Sequence, residues 1–242
     1  MPEKIKVGLL THAGGAHVGA YLKALAETDE CESVVMADPD GRYKADAQQA
    51  LGDKMKGFYT SFGEMLAAEK PTMALVTMEA RLAPPVINQA LEANCHVFAE
   101  KPSCVRVKDF EPLLRMADSK HRHLMLALAN RTNPEIVAAQ ELVASGQIGS
   151  LYGVDMHLIA DQTRLKQASY REQWFADKER AGGGHLIWLG IHWLDLAMQI
   201  TGSDISTVAG FITNIGGQPL NIEDSATAAM KFDNGALGTM TS

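Results

Sequence analysis

The feature that most constrains this chain is a regular alternation of period in its first 130 residues. Short β-branched runs at Lys4 to Leu10, Ser33 to Ala37, Thr72 to Val76 and His96 to Ala99 are separated by helical stretches at Val18 to Glu27, Tyr43 to Leu51, Ser61 to Glu69 and Pro84 to Glu92. A further helix, Lys108 to Asp118, and a strand, His123 to Ala129, extend the same rhythm. Strand, helix, strand at this pitch dictates right-handed crossovers and a parallel sheet covered by helices. The character changes after Asn130. Pro134 to Ala144 reads as a helix, Leu151 to Ile159 as a long strand and Gly184 to Ile200 as an apolar helix. Strands follow at Ile205 to Ile212, Ala226 to Phe232 and Leu237 to Met240, the last two joined by an Asp233-Asn234-Gly235 turn. We therefore expect an α/β domain over residues 1–130 and an α+β domain with antiparallel strands over 131–242.

Composition narrows the functional classes. A hydrophobic fraction of 46% and a charged fraction of 21% are those of a folding globular chain. Net charge is −7, with lysines and arginines scattered rather than striped, which speaks against nucleic acid as a partner. The longest apolar run, Leu186 to Leu196, is broken by His192 and Asp195 and is shorter than the roughly 20 residues of a membrane span. The N-terminus enters a strand without a signal-peptide pattern, and Cys31, Cys95 and Cys104 have no metal-ligand spacing, so a cytoplasmic chain with reduced thiols is expected.

Several segments could carry chemistry. The loop Thr11-His12-Ala13-Gly14-Gly15-Ala16-His17 lies between the first strand and helix, where a dinucleotide pyrophosphate would sit over a helix N-terminus. It places Thr11, Ala13 and Ala16 at the fingerprint glycines, or Gly14 and Gly15 one position off, so a tight small-residue turn is the competing reading. Asp38 ends the second strand at the spacing of a carboxylate that accepts from an adenosine ribose, which would favour NAD over NADP. Its alternative is a helix N-cap, a task for which Asp40 is better placed. Glu100-Lys101-Pro102 falls at the carboxyl edge of the parallel sheet, where ligands of such sheets bind. His185, Trp188, His192 and Asp195 are spaced three, four and three apart, which on an α-helix shares one face. The polar run Asp161-Gln162-Thr163-Arg164 after a strand is a candidate for substrate hydroxyls or a solvated turn.

Taken in order, Glu100-Lys101-Pro102, the Asn130-Arg131-Thr132-Asn133-Pro134 junction, Ser145-Gly146-Gln147-Ile148-Gly149, the Gly182 triplet leading to Gly190-x-His192-x-x-Asp195, and Glu223-Asp224-Ser225-Ala226 resemble the Gfo/Idh/MocA oxidoreductases. The resemblance spans nearly the whole chain. It implies an N-terminal Rossmann domain that binds dinucleotide through Thr11, Ala13, Gly14, Gly15, Asp38, Glu100 and Lys101. It also implies a C-terminal domain whose open, mostly antiparallel sheet makes a homo-oligomer. Lys101 corresponds to the lysine that bonds the substrate hydroxyl, Glu100 to the residue near the nicotinamide ribose, and His192 to the general base, expected within reach of Lys101. Asp161, Arg164, His185, Trp188 and Asp195 would meet a sugar, cyclitol or related polyol.

The chain departs from the family at Trp188, where an aspartate is usual, in its glycine loop, and at Thr77-Met78-Glu79-Ala80-Arg81-Leu82-Ala83. Family members also continue beyond this length, so a partial second sheet with a raw edge at its last strand is expected. Two other readings stay open: a member that binds dinucleotide or sugar without turnover, and a metal-dependent lyase or isomerase centred on His185, His192 and Asp161.

Overall fold

The computed structural model describes residues 3–161 and 163–242, which form two compact units, one ending at Ala127 and the other beginning at Leu128. The first is built on six strands: β1 (Ile5–Thr11), β2 (Cys31–Ala37), β3 (Met55–Tyr59), β4 (Met73–Thr77), β5 (His96–Ala99) and β6 (Leu124–Leu126). They form one parallel sheet in the order β3-β2-β1-β4-β5-β6. Chain order therefore reverses between β1 and β4, which creates a crevice at their carboxyl ends. Five helices cover it: α1 (Val18–Glu27), α2 (Lys44–Leu51), α3 (Phe62–Glu69), α4 (Ala83–Glu92) and α5 (Val107–Ser119).

Both faces of this sheet are covered, which explains why its strands read as continuous apolar runs rather than alternating ones. On one side Val7, Leu9, Val34 and Met36 pack with Val18, Leu22 and Leu51 of α1 and α2. On the other Leu10, Val35 and Val76 pack with Met65, Ile87 and Leu113 of α3, α4 and α5. The sequence reading missed β3. Its Met-Lys-Gly-Phe-Tyr run is five residues long, half-buried, and carries Gly57 at its centre, so neither length nor alternation marks it.

The second unit opens with helix α6 (Pro134–Ala144), then β7 (Gly153–His157) and two single-turn helices, α7 (Ala168–Arg171) and α8 (Lys178–Ala181). A π-helical turn over Leu186–Gly190 runs into α9 (Ile191–Thr201). Strands β8 (Ile205–Thr213), β9 (Ser225–Phe232) and β10 (Leu237–Thr241) complete a sheet ordered β7-β10-β9-β8. The β10–β9 and β9–β8 pairings are antiparallel and β10–β7 is parallel, so the sheet is mixed but mostly antiparallel. The expected raw edge at the last strand is not observed. β10 is an interior strand paired on both sides, and even Ser242 exchanges backbone hydrogen bonds with Ala226 at 2.9 and 3.0 Å. The edges are β7 and β8.

Phe232 is fully buried among Ala197, Ala236, Met156, Met198 and Ile205, joining α9 to the sheet. Truncation there removes an aromatic ring from a closed site, so Phe232→Ala should cost about 3–5 kcal/mol of folding stability. Urea unfolding checks this, and a loss below about 1 kcal/mol would contradict the packing described.

Candidate active site

The β1–α1 loop is built around hydroxyl groups rather than the expected glycines. Thr11, at the first glycine position, is fully buried, and its Oγ1 donates to the Thr77 carbonyl at 3.1 Å, while Thr77 Oγ1 donates to the Ala16 carbonyl at 2.6 Å. These bonds stitch the loop to the end of β4, where the strand order reverses. Gly15 is the position that must be glycine, since a Cβ there would stand 2.2 Å from Thr11 Oγ1 and 3.0 Å from the Thr77 carbonyl. The α1 helix that follows begins at His17 with no side-chain cap and no acidic residue in its first turn. An uncapped helix start at the crevice suits an anion, so the loop fits a dinucleotide pyrophosphate although Thr11 itself faces inward.

The two aspartates after β2 both bond to backbone amides of the surrounding loops. Asp38 has no exposed surface; its Oδ1 accepts from Asp40 N at 3.1 Å and its Oδ2 from Tyr43 N at 2.9 Å, which organises the approach to α2. Asp40 does not cap α2. It is exposed, and its Oδ2 accepts from Ala13 N of the β1–α1 loop at 2.7 Å. Tyr43 adds a second tie, its hydroxyl donating to the Gly15 carbonyl at 3.3 Å.

Glu100 and Lys101 leave β5 buried, at 3% and 4% exposure. Glu100 Oε2 accepts from the Tyr21 hydroxyl and pairs with His17 Nδ1 at 3.3 Å, and its Oε1 accepts from Lys101 N at 3.1 Å. The carboxylate raises the His17 pKa chiefly through this hydrogen bond, and burial together with Glu100 raises that of Tyr21. Burial lowers the Lys101 pKa, with Glu100 opposing. The sequence reading did not single out Tyr21, or the tie to Glu100 made by His17, which is exposed at the end of the loop. The signal was present: His17 precedes α1 and Tyr21 lies one turn into it, the helix that starts at the crevice.

In the second unit the Gly182 triplet is explained by Glu223. Its Oε2 accepts from Gly184 N at 2.8 Å and its Oε1 from Leu186 N at 3.0 Å, and its carbonyl accepts from His185 N at 3.0 Å. A Cβ on Gly184 would stand 2.2 Å from that carbonyl. The π-helical turn that follows breaks the three-and-four spacing, so His185, Trp188, His192 and Asp195 do not share one α-helical face. Only His192 and Asp195 lie together in α9. His185 is buried at 4% exposure, bonded through Nε2 to the Ser242 hydroxyl, and burial lowers its pKa. Asp195 is buried and takes a bidentate contact from Arg131, including Nε to Oδ2 at 2.8 Å, which raises the arginine pKa.

Trp188 belongs to an aromatic cluster, with ring centroids 5.4 Å from Trp174 and 4.8 Å from Phe175. Phe175 lies 4.8 Å from Tyr170, over which the Arg164 guanidinium sits at 5.0 Å, so the fold gathers Arg164 and Trp188 through these rings. Asp161 is exposed, its Oδ1 accepts from Thr163 N at 2.8 Å, and hydrogen bonds from the Thr163 side chain and backbone lower its pKa, with the Arg164 charge adding to the shift. Gln162 lies outside the described residues. Among the described residues no three His, Cys, Asp or Glu side chains gather to hold a metal ion, so the metal-centred trio of His185, His192 and Asp161 does not assemble. No helix among them is long and apolar enough to cross a membrane.

Comparison with known proteins agrees with this architecture. Residues 7–128 match the NAD-binding Rossmann fold model of the Gfo/Idh/MocA oxidoreductase family, and residues 136–242 match the Gfo/Idh/MocA C-terminal domain model. D-glucoside 3-dehydrogenase of Escherichia coli is 29% identical over 189 residues, covering 72% of this chain and 52% of that protein. The crystal structure of an oxidoreductase domain protein from Kribbella flavida superposes with a TM-score of 0.87 at 25% identity, covering 99% of this chain and 67% of the other. The WlbA dehydrogenase of Bordetella pertussis, solved with NADH and UDP-GlcNAcA, superposes with a TM-score of 0.82 at 22% identity, covering 99% of this chain and 72% of the other. The chain spans about half the length of the curated relatives it matches. With one unit matched by the NAD-binding model and the other by the C-terminal model, this chain belongs to the Gfo/Idh/MocA oxidoreductase family.

Proposed function

We propose that the chain is an NAD(H)-dependent oxidoreductase of a sugar, cyclitol or related polyol, working in the cytoplasm as a homo-oligomer. The observation that carries the reading is the buried Glu100–Lys101 pair at the carboxyl edge of the parallel sheet, in the same unit as an uncapped helix start at the strand-order reversal. The nicotinamide ring, when bound, supplies the hydride acceptor or donor. Removing hydride from a secondary alcohol requires loss of the hydroxyl proton. We assign its acceptance to His192, since a neutral imidazole carries a ring nitrogen that can take up a proton. The Lys101 ammonium stabilises the developing alkoxide, and the burial that lowers its pKa brings it nearer to proton exchange at neutral pH. Glu100, anchored by His17, Tyr21 and the Lys101 amide, holds the backbone that presents Lys101. Arg164 and Trp188 are assigned to the substrate, whereas the burial of His185 and Asp195 suits them to holding the helix that carries His192.

A preference for NAD over NADP follows from the carboxylates after β2, and oligomerisation from β8, an edge strand that exposes Val208 at 62% and Phe211 at 80%. Light scattering should give a mass above the monomer, and Phe211→Lys should shift it towards the monomer; a monomer throughout the concentration range sinks the oligomer. Dinucleotide titration should saturate with NADH. With a responsive sugar or polyol identified, Lys101→Ala and His192→Ala should each lower kcat by about 10²- to 10⁴-fold with less effect on dinucleotide affinity. Full turnover by His192→Ala ends the base assignment.

The His17–Glu100 pair generates a pH effect. Because the folded His17 pKa is raised above its ordinary 6.5, the pair's contribution is fully present below that value and fades as pH rises through the folded pKa. His17 is half exposed in its side chain, so screening keeps the effect small. His17→Gln should therefore destabilise more at about pH 6 than at about pH 8.5, measured by urea unfolding at both. An equal loss at the two values refutes the charged pair.

A further inference from the structure

We infer that Asp40, and not Asp38 at the end of β2, is the residue that discriminates against a phosphate on the adenosine ribose. The inference rests on the dinucleotide reading above and names which carboxylate acts within it. A carboxylate that selects a ribose diol over a ribose phosphate must have surface to meet it and a fixed position from which to repel it. Asp38 has no exposed surface, and its polar groups serve the loop: both carboxylate oxygens accept from backbone amides, its N–H donates to the Tyr59 carbonyl at 3.0 Å, and its carbonyl accepts from Gly41 N at 3.1 Å. Exposing it would break the turn into α2.

Asp40 meets both requirements. It is exposed, and the 2.7 Å bond from Ala13 N pins its Oδ2 to the loop that would cradle the pyrophosphate. The Tyr43 hydroxyl on the Gly15 carbonyl holds the same two loops together from the residue before α2. A carboxylate is thus fixed between the β1–α1 and β2–α2 loops at the carboxyl end of β1 and β2, and with one oxygen engaged it can still accept from hydroxyls. A ribose diol donates to such a group; a ribose phosphate brings like charge against it. Arg42 is exposed two residues on, with its guanidinium 5.8 Å from the Tyr43 ring centroid, so a cation stands on the same loop once the carboxylate charge is removed.

The test compares NADH and NADPH binding to the full chain by calorimetry or fluorescence, with melting temperature read in parallel. Asp40→Asn keeps an acceptor for Ala13 N–H and removes the charge, so it should tighten NADPH relative to NADH by about tenfold with melting nearly unchanged. Asp38→Asn should lower the melting temperature and weaken both dinucleotides together, leaving their ratio within about twofold. A ratio unmoved by Asp40→Asn, or a ratio shifted by Asp38→Asn in a folded protein, overturns the assignment to Asp40 while the dinucleotide reading stands. Failure of the unaltered chain to bind either dinucleotide overturns both.

Discussion

The hydroxyl exchange at the ends of β1 and β4 is the contact on which the first unit's site depends. Thr11 donates to the Thr77 carbonyl and Thr77 donates to the Ala16 carbonyl, so the loop is fastened at both ends to the strand beside it. Everything downstream follows from that fastening. Thr11 Oγ1 fills the space a side chain at Gly15 would need, which makes Gly15 obligatory where the usual fingerprint would place its glycine one residue later. The loop then delivers His17 in a left-handed conformation at the start of α1, and one turn into that helix Tyr21 reaches Glu100. A glycine fingerprint achieves close approach by removing side chains; here hydroxyls achieve it by bonding to the carbonyls they approach.

Buried carboxylates do the corresponding work elsewhere. Asp38, Glu100 and Glu223 are each nearly inaccessible, and each accepts from at least one backbone amide. Burying a carboxylate is costly unless its oxygens are bonded, so these residues specify one conformation of the loop they hold. Glu223 is the clearest case, because it grips the start of the π-helical turn through Gly184 and Leu186 and thereby sets where the helix carrying His192 begins.

The fold was legible where burial was two-sided and long. β1, β2, β4 and β5 are apolar runs flanked by amphipathic helices, and period alone finds them. β3 escaped because Gly57 and Lys56 interrupt a five-residue edge strand that only one neighbour supports. The site was legible in residue identity more than in arrangement. Glu100 and Lys101 stand where an acid and a lysine after a strand predicted. The one-face reading of His185 to Asp195 failed because it assumed 3.6 residues per turn through Gly190, and a π-helical turn cannot be read from spacing. Asp38 and Asp40 were likewise visible as acids, but which was buried depended on backbone amides supplied by their own loop.

Trp188 shows how a single departure propagates. At the position one turn before His192 an aspartate would bring charge; the tryptophan brings a ring that is half-buried against Trp174 and Phe175. Such a cluster is held by apolar area and edge contacts, and it recruits Arg164 through Tyr170 by cation–π attraction. The carboxylate nearest in sequence, Asp195, is committed to Arg131. The second unit therefore holds an aromatic wall backed by a cation where the family pattern has an aspartate. A wall of this kind offers ring faces where a carboxylate would offer hydrogen-bond acceptors.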